Sequence, residues 1–447
     1  MRILHTADWH LGHTLRDHSR VVEHAAFLRW LVQTIVDREV DALLIAGDVF
    51  DAANPPPAAW RMWFEFLGEL KRARPQVQVV VIAGNHDSAA RLEAPRELLS
   101  AFDVRVIGAL RRGDDGRLVV QELLVPLGGE AGRPAAWCVA IPFLRASDVM
   151  ALSVAKDERV DAAVATPGGD DCVLPEAVAV VEARAAADPV LDGMRALHDE
   201  VFAAARARRR PGQALVAMAH GYLVGGAISE LSERKVLGGN QHALPLDLFP
   251  DDCDYVALGH LHRPQQLAGR EHVRYSGSPL PLSMPERLHP HHVVFADFAA
   301  GALAKVWSLR VPRTVELVRI PDRGELEPEA ALAAVAALPP RDNEAEPSSL
   351  PFVEVVVRLP QPSPRIGERI AQLIESRAAR LVRVEVVLTG SVAAPVGAAA
   401  RPQDLTSLTP EQLFVRRYAK DHAGPVPETL LDTFRTLLDE VEHGGGP

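Results

Sequence analysis

A chain of 447 residues with 48% hydrophobic content is long enough to form more than one packed domain. Its formal charge of -11, from 48 basic and 59 acidic residues, excludes a protein that coats nucleic acid by bulk positive charge, while leaving room for a local cationic site. The three cysteines, Cys138, Cys172 and Cys253, are odd in number and far apart, so neither a disulfide framework nor a zinc knuckle is expected. No apolar run is long enough to span a membrane. The opening Met1-Arg2-Ile3-Leu4-His5-Thr6-Ala7-Asp8 runs straight into polar residues, unlike a signal peptide. A cytoplasmic location without a membrane partner is the expectation.

In chain order, residues 2–6 read as a short strand followed by Asp8-Trp9-His10. Residues 21–38 read as an amphipathic helix, with Ala25, Leu28, Val32 and Ile35 on one face. Residues 42–46 form an apolar strand that runs into Gly47-Asp48-Val49-Phe50-Asp51. A helix from about 57 to 72 carries Trp60, Trp63, Phe64 and Leu67. The β-branched run Val79-Val80-Val81-Ile82 then stops abruptly in Gly84-Asn85-His86-Asp87. This alternation is the βαβ pattern of a parallel sheet.

Residues 104–145 are richer in strand. Residues 151–210 are Ala-rich and charged and predict partly exposed helix, with a Pro/Gly stretch at 166–169 and a solvated basic end at 206–210. Two further apolar strands follow, 214–219 ending in His220-Gly221 and 255–258 ending in Gly259-His260-Leu261-His262. Strands near 273–276 and 292–298 are expected to close the sheet and make it mixed. From about Pro312 a small α+β domain is predicted, with strands over 352–358 and 381–388 around a helix over 366–374. An Ala/Pro/Gly-rich linker follows at 391–404. Two short helices end the chain. The first opens with Thr409 and Pro410, and the second places Leu430, Leu431, Phe434, Leu437, Leu438 and Val441 on one face.

Five apolar strands thus deliver polar side chains at their C-terminal ends, where open α/β sheets bind ligands. The candidate metal ligands are Asp8, His10, Asp48, Asn85, His220, His260 and His262. Two carboxylates, four imidazoles and one amide are too many for one ion and suit two ions of the manganese, iron or zinc type. A carboxylate such as Asp48 can bridge metals about 3.5–4 Å apart. Two ions carry four positive charges; Asp8, Asp48 and a bridging hydroxide cancel three, and the remainder favours a phosphate diester. His86, expected outside the direct ligands, could bind the phosphate or protonate the leaving oxygen, with Asp87 fixing its tautomer. Taken singly, these residues fit turns, caps or satisfied core histidines. His5, His13, His18, His24 and His242 are read that way, and Asp51 is expected behind the ligands.

The five motifs in this order resemble the calcineurin-like metallophosphoesterase superfamily. Met1-Arg2-Ile3-Leu4-His5-Thr6-Ala7-Asp8-Trp9-His10-Leu11-Gly12, Gly47-Asp48-Val49-Phe50-Asp51, Gly84-Asn85-His86-Asp87-Ser88-Ala89-Ala90-Arg91-Leu92 and Tyr275-Ser276-Gly277-Ser278-Pro279 narrow the resemblance to the SbcD family of nuclease subunits. The resemblance implies an α/β fold: a metallophosphoesterase β-sandwich flanked by helices, with a small α+β capping domain and C-terminal helices. The nuclease domain would span 1–312, the capping domain 313–390, the linker 391–404 and ATPase-binding helices 405–447. It implies that Asp8, His10, Asp48 and His262 hold one manganese and Asp48, Asn85, His220 and His260 the other, with His86 catalytic. It also implies exonuclease and endonuclease action on DNA ends and hairpins. The partner would be an SMC-like ATPase, SbcC, bound to a homodimer within a heterotetramer associated with the nucleoid. Two other functions compete. A phosphodiesterase for small molecules leaves the second domain and terminal helices unexplained, and a non-catalytic scaffold should have lost ligands, whereas none is missing.

Overall fold

The computed structural model describes residues 1–129, 132–149, 188–227, 244–342, 346–361 and 363–389, together with scattered positions between 414 and 434. The expectations for 151–187, for the linker 391–404 and for Leu437, Leu438 and Val441 lie outside the described residues. The chain forms two units, Met1–Gly390 and Ser391–Pro447.

The first half of the larger unit alternates strand and helix. Strand β1 (Arg2–Thr6) is followed by the short hairpin β2 (Thr14–Leu15) and β3 (His18–Ser19), then helix α1 (Val21–Asp37). Strand β4 (Ala42–Ala46), helix α2 (Pro57–Ala73) and strand β5 (Gln78–Ile82) come next. Two one-turn helices, α3 (Ala89–Glu93) and α4 (Arg96–Ser100), lead to β6 (Val104–Ile107). Strands β7 (Leu124–Leu127) and β8 (Ala136–Ala140) precede helix α5 (Pro189–Arg208), where Asp188 caps the N–H groups of Val190 and Leu191. The remaining strands are β9 (Ala214–His220), β10 (Tyr255–Gly259), β11 (Gln265–Leu267), β12 (Arg270–Tyr275), β13 (His292–Ala299) and β14 (Ala302–Arg310).

These strands form two mixed six-stranded sheets, ordered β14-β13-β1-β4-β5-β6 and β11-β12-β10-β9-β8-β7. The sheets make the sandwich that the resemblance implies, where the strand pattern alone suggests one mixed sheet, with β13 antiparallel to β1 and β12 parallel to β10. The physical reason is visible in β1, β4 and β5, which are apolar on both faces. Ile3, Leu44, Ala46, Val80 and Ile82 enter the core shared with the second sheet. Leu4, Leu43, Ile45, Val79 and Val81 pack with Leu31 and Ile35 of α1 and Trp63 and Phe66 of α2. A strand alternates faces at every residue, so a continuous apolar run demands a layer on each side. Here one layer is helical and the other a second sheet.

A small three-stranded parallel sheet follows, from β15 (Leu317–Ile320), β16 (Phe352–Leu359) and β17 (Arg380–Leu388), with helices α6 (Pro328–Ala336) and α7 (Pro364–Glu375) in the crossovers. Val353, Val355 and Val357 of β16 meet Leu332, Val335, Ile366 and Ile370 on the helical side. Phe352, on the other face, packs with Leu15, Met284, Val315 and Leu317. Strand β15 and helix α6 are not expected from the sequence, because β15 is only four residues long and α6 is largely alanine. No helix among the described residues is long and apolar enough to cross a membrane.

Candidate metal centre

Strands β1, β4 and β5 run parallel in one sheet, and β9 and β10 run parallel in the other. Their C-terminal ends meet, so the residues that follow each strand converge. Backbone bonds lock this convergence: Asp8 N–H donates to Gly47 O (3.0 Å) and His10 N–H to Asp48 O (3.1 Å). The Asp8 carboxylate accepts from His260 N–H at 2.9 Å, tying the first sheet to the second. Asp8, His10, Asp48 and His260 all hold positive φ, at 55, 47, 49 and 109°. Non-glycine residues are uncommon in this region, and four of the nine that hold it among the described residues gather here. Glycine is required beside them: a Cβ on Gly84 would collide with the Asp48 carboxylate, and one on Gly47 with the His220 ring.

Three overlapping groups of side chains lie close enough to share an ion: Asp8, His10 and His262; His10, Asp48 and His86; and Asp48, His220 and His260. Asp48 Oδ2 stands 3.7 Å from His10 Nε2 and 3.4 Å from His220 Nε2, between the outer two groups. Asn85 Oδ1 joins the third group, 3.1 Å from His220 Nε2 and 2.9 Å from His260 Nδ1. Every ligand expected from the sequence is thus brought to one place, and all but Asn85 are buried. The histidines are oriented from behind. His220 Nδ1 donates to Ala46 O (2.8 Å), His10 Nδ1 faces Asp51 Oδ1 (3.2 Å) and His262 Nδ1 faces Glu286 Oε1 (3.3 Å). Nδ1 bonds of this kind leave Nε2 as the free lone pair.

The donor set fits a cation. His220 Nε2 faces two oxygens, Asp48 Oδ2 and Asn85 Oδ1, so with Nδ1 bonded to Ala46 O it must either carry a second proton or share a cation with them. His10 Nε2 is buried with no hydrogen-bond partner, a costly arrangement unless something positive is shared there. Without an ion, burial and the neighbouring charges pull these groups in opposite directions. Burial pushes the Asp8 carboxyl up to about 7 against the pull of the imidazoles. Burial lowers His260 to about 3 and also depresses His10. Burial opposes charge on His220 as well, but the Asp48 carboxylate outweighs it and raises this ring to about 9.

The expectation for Asp87 needs correction. Its carboxylate does not orient His86. It accepts from Gly84 N–H (2.9 Å), Phe50 N–H (3.0 Å) and Val49 N–H (3.2 Å), clamping the loops after β4 and β5. The His86 ring is held instead by the Asp51 backbone carbonyl, 2.7 Å from its Nδ1. His86 also stands nearer the candidate ligands than expected, within the group of His10 and Asp48, yet it is only half-buried and reaches solvent. Sequence reasoning misses Glu286. It is fully buried, a state that no local pattern in Ser283-Met284-Pro285-Glu286 announces. Among the histidines read as ordinary, His5 is a satisfied core residue between Tyr255 OH (2.9 Å) and Leu258 O (3.2 Å). His24 is bonded to Trp9 O, His18 to Leu381 O, and His242 lies outside the described residues.

Comparison with known proteins places this geometry. A family model described as calcineurin-like phosphoesterase matches residues 1–264, and one described as type 5 capsule protein repressor C-terminal domain matches 313–422. The chain is 40% identical to the SbcD subunit of the SbcCD nuclease from Rhodobacter capsulatus over 422 residues, 94% of each protein. It is 30% identical to the corresponding SbcCD nuclease subunit from Escherichia coli K12, over 99% of this chain and 100% of that one. The Bacillus subtilis counterpart is 34% identical over 67% of each. A calcineurin-like phosphoesterase domain implies divalent metals, in keeping with the donor set.

Proposed function

The chain belongs to the calcineurin-like phosphoesterases and, among them, to the SbcD family of nuclease subunits, and from that premise we propose that it hydrolyses DNA phosphodiesters at ends and hairpins with two manganese ions in partnership with an SbcC-like ATPase. The observation that carries this reading is Asp48, whose Oδ2 faces His10 Nε2 at 3.7 Å and His220 Nε2 at 3.4 Å in a buried cluster with an orphaned imidazole nitrogen. Asp8, His10, Asp48 and His262 would hold one ion, and Asp48, Asn85, His220 and His260 the other. Bound there, divalent ions supply a water of lowered pKa and offset the charge of the phosphate.

The protein's own residues do the remainder. Asp87 holds the two loops that carry Asp48 and Asn85 in fixed register through its three N–H bonds. Asp51 holds His10 with its carboxylate and His86 with its carbonyl. The His86 Nδ1–H bond leaves Nε2 directed away from Asp51, on a ring open to solvent, where with a second proton on Nε2 it can donate to a phosphate oxygen or pass that proton to the leaving oxygen. Residues 313–390 act as the capping domain that angles DNA over the centre, and 405–447 dock on the ATPase of a heterotetramer built on a homodimer.

Purified protein with manganese, assayed on linear and hairpin DNA beside a generic phosphodiester, tests this. DNA cleaved far faster than the small ester, and abolished by chelator, is the expected result. Equal turnover of both would favour a small-molecule phosphodiesterase.

A further inference from the structure

We infer that Glu286 is the positioning residue that sets the His262 ring for the metal centre, holding it from a segment seated on the small domain. The inference rests on the two-ion reading above. Glu286 lies in a short 3-10 helix, Met284–Leu288, and has no exposed surface. Its two oxygens are both engaged as acceptors: Oε1 faces His262 Nδ1 at 3.3 Å, and Oε2 accepts from Leu282 N–H at 2.8 Å. A carboxylate opposite Nδ1 puts the ring proton there and leaves Nε2 for the group with Asp8 and His10. Carboxylate–histidine pairs of this kind fix the ring's tautomer and raise its basicity as a ligand, and losing one typically costs about 10–100-fold in metal affinity.

The segment is anchored from the far side. Arg20, fully buried and paired with Glu23 (Nε to Oε2, 2.9 Å), donates to Pro281 O, one residue before the Leu282 N–H that Glu286 accepts. Met284 packs with Leu317 and Phe352 of the small sheet, and Arg287 pairs with Asp322 at 2.8 Å. The position of His262 is therefore tied through Glu286 to the seat of the small domain, and not only to its own loop.

Glu286→Gln separates this role from simple packing, because glutamine keeps the shape but has one acceptor oxygen. If that oxygen stays with Leu282, the amide NH₂ opposes His262 Nδ1 and forces the proton to Nε2. If it turns to His262, the NH₂ opposes the Leu282 N–H in a buried site.

The metal-free full chain would be titrated with Mn²⁺, with free Mn²⁺ read by electron paramagnetic resonance. We expect two ions on the unmodified protein. In Glu286→Gln, one site should be unchanged and the other about 10–100-fold weaker. A long-range ¹H–¹⁵N correlation on histidine-labelled, metal-free protein should show His262 as the Nδ1–H tautomer, a signature that a purely structural role would not set. Two unchanged sites in folded Glu286→Gln would overturn the inference, and so would an Nε2–H tautomer at His262 in the unmodified protein. If Glu286→Gln fails to fold, the tautomer alone decides. Fewer than two ions on the unmodified protein would overturn the two-ion reading instead, and the tautomer would still decide the role of Glu286.

Discussion

His86 is the residue whose role the geometry sharpens most. Its Nδ1 is occupied by Asp51 O at 2.7 Å, and its ring lies 4.8 Å, centroid to centroid, from that of His10 while remaining partly open to solvent. A partly exposed ring beside the cluster can serve as acid or as ligand, and His86→Gln distinguishes the two. We predict that this variant keeps both ions and loses about 10²–10⁴-fold in cleavage rate, the usual range for a general acid–base group. A fall in bound metal as deep as that caused by removing Asp48 would make His86 a ligand. At this scale the candidate ligands are legible in the sequence because each sits at or just past the end of an apolar strand. Their supports are not. Asp87 reads as the natural partner of its neighbour His86, yet it serves backbone N–H groups as far away as Val49. Glu286 is marked only by its burial, which depends on the whole fold.

Among the elements, β1, β4, β5, β9 and β10 are recognisable as strands from their apolar runs, and α1 and α2 from their periodicity. Their division between two sheets is not, since a strand that is apolar on both faces is equally at home under helices or under another sheet. The small sheet shows the same limit in reverse. Strand β16 buries valines toward its helices and Phe352 toward the hairpin β2–β3 and the Met284 segment. Phe352 is fully buried, and its ring is flanked by the guanidinium groups of Arg20 at 5.8 Å and Arg380 at 3.9 Å. Truncating it would leave a cavity beneath two cations. Phe352→Ala is therefore predicted to cost about 3–5 kcal/mol, measured as a lowered midpoint in denaturant unfolding of the full chain. An unchanged midpoint would mean that the small domain is seated by other contacts.

For the whole molecule, the C-terminal unit bears the assembly claim. Phe434, read from the sequence as one of six apolar residues awaiting a partner, stacks on Phe414 within its own unit, with centroids 4.2 Å apart and planes 10° from parallel. Leu430 and Val415, 41% and 39% exposed, are the better candidates for a docking face among the described residues. Deleting 405–447 is predicted to abolish binding of the ATPase partner in pull-down while sparing manganese-dependent cleavage of short DNA. Leu430→Asp should weaken the same binding by placing an unpaired charge in the interface. Full binding by the truncated chain would refute the docking role.

The proposed two-ion centre depends on one carboxylate between two groups of ligands. Its most direct test is the metal content of Asp48→Ala, counted by Mn²⁺ titration beside the unmodified protein, with DNA cleavage measured on the same samples. Two ions on the unmodified chain, and loss of tight binding at both sites together with loss of cleavage in Asp48→Ala, is the predicted result. Two ions held at unaltered affinity in Asp48→Ala, or full cleavage at saturating manganese, would contradict it.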